Sequence, residues 1–180
     1  MTTVLALANQ KGGVGKTTST VNLARALTYR DQRVLVIDMD PQSSLTIYYG
    51  HGPRDLEKRE LTLYWALMKE RELTDLILSG QDGNPDLIPA SISLAGAEPE
   101  LTLLWDSASV LRDKLKPIRA QYDFILIDCP PSLTLLTVNA LAAADTLLIP
   151  VKTDYLSIMG IPLLLDTVEK IRKRLNTRLA

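Results

Sequence analysis

Residues 9–18 read Asn9-Gln10-Lys11-Gly12-Gly13-Val14-Gly15-Lys16-Thr17-Thr18, and this stretch decides how the rest of the chain is understood. Before it, Thr3 to Ala8 is a short apolar run. After it, Thr17 to Tyr29 carries helical periodicity. A glycine-rich turn between strand and helix is the setting a phosphate-binding loop requires. Gly12, Gly13 and Gly15 have no Cβ and reach backbone angles closed to other residues, so successive N–H groups can turn toward phosphate oxygens. Helix onset near Lys16 adds the partial positive charge of a helix N-terminus. In such a loop Lys16 reaches the β- and γ-phosphates, the Thr17 hydroxyl ligates Mg2+, and Thr18 donates to the α-phosphate. The candidate nucleotide-binding segment is therefore Lys11 to Thr18, Val14 included.

Further apolar runs bounded by turn residues occur at Arg33 to Ile37, Asp86 to Ile88, Phe124 to Ile127 and Thr146 to Ile149. Their apolarity is continuous, not alternating, as strands covered on both faces require. Helical patterns lie at Thr62 to Glu70, Ser107 to Ala120, Ser132 to Ala143 and Leu156 to Leu175. This alternation predicts an α/β fold, a mostly parallel twisted sheet with helices on both faces. The stretch Tyr48 to Glu60 has no sustained period and reads as an exposed connection.

Composition narrows the function classes. The chain has 180 residues, 46% of them apolar and 23% charged, which suits one folded domain over residues 1–180. Twenty basic residues against 21 acidic ones give a net charge of −1, so any nucleic-acid binding must come from a local patch. One Cys and one His exclude an internal disulfide and a Cys/His zinc site, and fit a reducing, cytoplasmic setting. No apolar run reaches the roughly 18 residues needed to span a bilayer.

Two carboxylate motifs complete the candidate site. Val34 to Gln42 ends an apolar strand in Asp38-Met39-Asp40-Pro41-Gln42, which places Asp38 and Asp40 at the strand's carboxyl end, where ligands of open α/β sheets bind. Phe124 to Pro131 is a second buried strand ending in Asp128, in the manner of a Walker B carboxylate that holds Mg2+ through water.

The usual phosphate-loop pattern would place its first glycine at position 10, where this chain has Gln10, and Lys11 stands beside the glycine pair. The resulting K-G-G-x-G-K-T resembles the P-loop of the ParA/MinD family of deviant Walker A ATPases. The D-x-D-P-Q segment resembles the family's ParA/Soj partition branch more than its MinD branch. The resemblance runs from Val4 to about Leu175. It implies a P-loop NTPase fold of the deviant Walker A type, with ATP/ADP and Mg2+ as cofactors. It also implies that Lys11 reaches the nucleotide of a second subunit, so that hydrolysis depends on an ATP-bound homodimer. Asp40 would position or activate the attacking water, and Asp38 would stand nearer the metal's outer shell. The catalytic set so implied is Lys11, Lys16 and Asp40, and the metal set is Thr17, Asp38 and Asp128. Implied partners are a ParB-like centromere-binding protein and nonspecific DNA, at the nucleoid and without a membrane. The alternative on the same scaffold is an ATP-switched positioning factor for a protein cargo or, as in the MinD branch, a cell-division site, without a DNA role. Members of the family usually continue beyond the length seen here, so the chain is expected to lack a C-terminal part, with Thr177 to Ala180 approaching a further strand.

Other residues carry less. His51 reads as solvent-exposed, and Cys129 as a small buried side chain. Trp65 and Trp105 fall within apolar helical patterns and read as core or interface. In the last helix Ile161, Leu164, Leu165, Val168, Ile171 and Leu175 define a core-facing stripe, opposite a solvated basic face. Pro150 to Tyr155 matches a family segment at the dimer face. Ser43 and Ser44 decide nothing by themselves.

Overall fold

The structure, a computed structural model, describes residues 2–153 and 160–180. The five apolar runs form five strands, β1 (Thr3–Leu7), β2 (Val34–Asp38), β3 (Asp86–Ile88), β4 (Phe124–Asp128) and β5 (Thr146–Leu148). All pair in parallel, in the order β3-β2-β4-β1-β5. Because β1 and β2 both flank β4, the segments leaving β1, β2 and β4 emerge side by side at one edge. The register aligns Asp38 with Asp128, and Asp128 with Leu7 at the end of β1. Three stretches far apart in sequence thus end on one line.

Both faces of the sheet are apolar because successive side chains alternate and each side has a covering layer. Val4, Ala6, Leu35, Ile37, Ile125 and Ile127 face the larger core, which is covered by α4 (Leu63–Met68), α5 (Leu94–Leu101), α6 (Val110–Arg119), α7 (Leu135–Ala143) and α8 (Ile161–Arg174). Leu7, Val34, Val36 and Leu126 face the other core, against α1 (Lys16–Thr28) and Leu45 of α2 (Ser44–Tyr48). In α8, Leu164, Val168 and Ile171 are buried as the spacing predicts, whereas Leu165 is exposed. Residues 154–159, which carry the start of that predicted helix and part of the Pro150 to Tyr155 segment, lie outside the described residues. After α8 the Asn176 side-chain amide donates to Leu141 O at 3.0 Å and Ala144 O at 2.6 Å, tying the chain to the end of α7. Ala180 then forms backbone hydrogen bonds with Asp145 and Leu147 beside β5.

Three helices, the short α2 among them, depart from the sequence reading. Tyr48 to Glu60 is not wholly an open connection, because α3 (Pro53–Lys58) forms there, with Pro53 in the first turn, where a missing N–H costs nothing. Its buried Leu56 anchors a helix too short to display a period. In α5, Gly96 and Pro99 mask a helix whose Leu94, Ala97 and Leu101 are buried. Trp65 is half-buried, with its indole N–H donating to Glu57 Oε1 at 3.0 Å. Trp105 is fully exposed beside Leu103, in the segment between α5 and α6, so its place in the core is corrected.

Candidate functional site

The loop between β1 and α1 takes its shape from two glycines. Gly15, the residue before α1, has φ +94° and Gly13 has φ +68°, both in the left-handed region that side chains disfavour. Gly12 has no positive φ and no heavy atom near an added Cβ, so of the three glycines only Gly13 and Gly15 are required by the backbone. Asn9 braces the loop's start. Its Oδ1 accepts the Lys11 N–H at 3.0 Å and its Nδ2 donates to Pro150 O at 2.8 Å. Lys16 opens α1, as its position in the motif predicts, and its buried ammonium curls back to donate to Lys11 O at 3.2 Å. Val14 is buried beneath the loop, while Gly12, Gly13 and Thr18 are exposed and Lys11 and Thr17 are half-buried.

Opposite the loop, Asp128 is 1% exposed, and it accepts the Thr17 hydroxyl at 2.6 Å on Oδ2 and the Thr20 hydroxyl at 3.3 Å on Oδ1. Burial pushes its carboxyl up to about 6, the charge of Asp40 adding to the effect and the Thr17 bond and Lys16 ammonium opposing it. Asp38 is also fully buried, and burial lifts it to about 7 against the opposing bonds from Thr46. Its Oδ2 accepts the Thr46 N–H and hydroxyl, and its Oδ1 accepts the Asp40 N–H. Burial lowers the pKa of Lys16, with Asp128 and then Asp40 pulling it back up. Cys129 is buried as expected and its thiol is pushed up by burial, which leaves it inert.

Asp40 stands outside the sheet on the loop after β2. Its carboxylate accepts the Gln42 N–H at 2.9 Å, the side-chain-to-backbone turn that Asp favours. Gly12, Gly13, Gly15, Lys16, Thr17, Thr18 and Asp40 line one cavity of about 280 Å3, together with Ser44 and Pro131. The structure therefore brings Asp40 to the phosphate loop from another strand. Ser44 and Pro131 are wall residues that the sequence reading passed over. Pro131 follows Asp128 by three positions, and Ser44 opens α2. A larger cleft of about 810 Å3 lies against Pro41, Gln42 and Ser43, with Ile47 and Ile92 exposed at its walls. His51 is exposed, as expected.

The residues fit a nucleotide-borne Mg2+. Two buried carboxylates stand in register on adjacent strands, both lifted above the ordinary carboxylate range, with a threonine hydroxyl 2.6 Å from one of them. Among the described residues no group of three or more His, Cys, Asp or Glu forms a metal cage. Such a site takes Mg2+ with part of its coordination supplied by phosphate oxygens and water, which is how this cation is usually bound.

A parallel sheet whose first strand feeds a glycine loop and a helix opening on Lys-Thr, with acidic residues ending the strand beside it and the next one over, defines a P-loop nucleotide-binding protein. Comparison with known proteins agrees. The AAA domain family profile matches residues 2–180. The chain is 44% identical over 176 residues to the sporulation initiation inhibitor protein Soj of Bacillus subtilis, spanning 98% of this chain and 68% of that protein. It is 44% identical over 178 residues to the chromosome partitioning protein ParA of Caulobacter vibrioides, spanning 98% of this chain and 66% of that one. The structure superposes on cobyrinic acid a,c-diamide synthase from Mycobacterium smegmatis, solved with a bound ATP analogue and magnesium, with a TM-score of 0.94 and 37% identity, covering 99% of this chain and 72% of that one. The chain belongs to the ParA/MinD family of deviant Walker A ATPases, close to the ParA/Soj partitioning proteins. It spans about two thirds of the length of the Soj and ParA relatives.

Proposed function

We propose that this chain is a Mg2+-dependent ATPase of the partition type, which binds ATP, dimerises through it, and uses the dimer to hold DNA nonspecifically while a ParB-like partner stimulates hydrolysis. The observation that supports it most is the meeting of Asp40 with Lys16, Thr17 and the loop glycines around one cavity. Similarity to Soj and ParA, at 44% identity against 37% for the superposed synthase, supports the partition reading. The cytoplasm, at the nucleoid, is the setting this function requires. Among the described residues no helix is long and apolar enough to cross a membrane.

The residues divide the chemistry. The loop N–H groups and the start of α1 hold phosphate oxygens, and Lys16 exchanges its bond to Lys11 O for one to phosphate. Mg2+ neutralises charge on the phosphates when bound. Thr17 and Asp128 hold its side of the site, and Asp38 backs them from the adjacent strand. Asp40 orients a water for in-line attack on the γ-phosphate, and Lys11 serves the nucleotide of the second subunit. A cation supplied in trans to such a site is worth about 10³–10⁵ in rate, so the monomer is a slow enzyme.

Two measurements test this. Asp40→Ala should retain ATP and the ATP-dependent dimer while turnover stops, and full hydrolysis by that variant refutes the role of Asp40. Binding to random-sequence DNA, measured with ATP across a salt series, should weaken steeply as salt rises, because phosphate contacts release counterions. ATP-loaded protein that ignores DNA at low salt would favour the protein-cargo reading instead.

A further inference from the structure

We propose that Thr46 is a positioning residue for Asp40, acting through the Asp38 carboxylate; this rests on the assignment of Asp40 to the attacking water. Thr46 is fully buried in α2, eight residues after Asp38. Its N–H donates to Asp38 Oδ2 at 2.8 Å, and its hydroxyl donates to the same oxygen at 2.7 Å. The hydroxyl oxygen in turn accepts the Ala90 N–H at 2.9 Å, just beyond β3. One side chain therefore joins the ends of two adjacent strands and the start of α2.

The other oxygen of Asp38 carries the consequence. Asp38 Oδ1 accepts the Asp40 N–H at 3.2 Å, while Asp40 holds the next turn through Gln42 N–H at 2.9 Å and Ser43 N–H at 2.8 Å. The bend from Asp38 to Ser43 is thus held by a chain of single bonds, and Thr46 fixes the carboxylate from which that chain starts. Asp38 is fully buried, so it depends on these donors in place of water. Removing the Thr46 hydroxyl takes one donor from Asp38 and leaves the Ala90 N–H without its acceptor. The carboxylate then turns and the bend carrying Asp40 loosens. Lys16 and Thr17, at the start of α1, bond to Lys11 O and to Asp128 and, among the described residues, not to Thr46, so phosphate binding is spared.

The test compares Thr46→Val with Thr46→Ser in the full chain, using Mg-ATP. Thr46→Val should bind ATP within about threefold of wild type and lose turnover on the order of 10- to 100-fold, the range expected when a reacting group is misplaced by an ångström or less. Thr46→Ser restores the hydroxyl and should restore the rate. Amide hydrogen exchange at Asp40 should quicken in Thr46→Val and not in Thr46→Ser. Wild-type turnover in Thr46→Val overturns the proposal. So does a parallel loss of binding and turnover, which marks a brace for the fold alone, or a Thr46→Ser variant as slow as Thr46→Val. If Thr46→Val does not fold, Thr46→Cys, whose thiol donates weakly, carries the same comparison and should fall between the two. A wild-type protein that binds ATP without hydrolysing it refutes the ATPase reading instead, and exchange at Asp40 still decides whether Thr46 holds the bend.

Discussion

Replacing Asp128 by Asn should make the nucleotide-free protein more stable at neutral pH, although it removes a residue assigned to the site. In the folded protein the Asp128 carboxyl stands at about 6, against 3.8 when unfolded, chiefly because it is buried. Between these values the folded state keeps a proton that the unfolded state has lost. Stability from this group is therefore present at acid pH and declines as pH rises through about 6. The displacement corresponds to about 3 kcal/mol once the decline is complete. Asn carries no charge and escapes it. Its amide group must face one of the two hydroxyls now bonded to the carboxylate, and Thr17 or Thr20 can rotate to accept, at a cost of about 1 kcal/mol. The variant should gain on the order of 2 kcal/mol at pH 7.5, and should match or fall slightly below wild type at pH 4.5. For a chain of this length the swing amounts to roughly 4–8 °C in Tm. Thermal unfolding followed by circular dichroism, at four pH values and without Mg2+ or nucleotide, measures it. Parallel plots of Tm against pH for the two proteins would refute the burial argument. The same variant should lose the Mg2+ dependence of ATP binding.

Other expectations are separable from this one. Lys16→Ala should weaken ATP binding about a thousandfold, since a unit charge pair at 4 Å and an effective dielectric near 20 is worth about 4 kcal/mol; calorimetric titration with a loss below tenfold contradicts that role. Gly15→Ala should cost about 1–2 kcal/mol in urea unfolding because φ is +94° there, whereas Gly12→Ala should leave the midpoint unchanged. Arg33→Ala removes an exposed ion pair with Asp123, which holds that carboxyl at about 2. Its unfolding midpoint should therefore move little and only at low salt.

Much of this architecture is legible in the amino-acid order because the strands are continuous apolar runs and the glycine loop sits between strand and helix. The strand ends agree within one or two residues, and Lys16 begins α1 as the motif requires. The elements missed are those whose order comes from tertiary burial. Leu101 tells nothing until the core it joins is in place, and α3 is too short for a period to emerge. Leu165 satisfies helical spacing yet is exposed, because spacing alone does not say how wide a face the neighbouring helix covers. At the site, the three motifs announce themselves by residue type. Thr46, Ser44 and Asn9 do not, since Ser, Thr and Asn are common in any turn. Their roles follow from which strand ends become neighbours.

The position of β4 between β1 and β2 assigns different freedoms to the site's two kinds of acid. Asp128 ends a strand hydrogen-bonded on both sides, and its alignment with Leu7 and Asp38 means it cannot shift without dragging two neighbours. Asp40 lies two residues past the sheet, on a bend held by single bonds, with the broad cleft of Pro41 to Ser43 at its back. One acid is a fixed reference and the other is an adjustable arm. Pressure from anything that settles in that cleft would move the arm and leave the reference where it is.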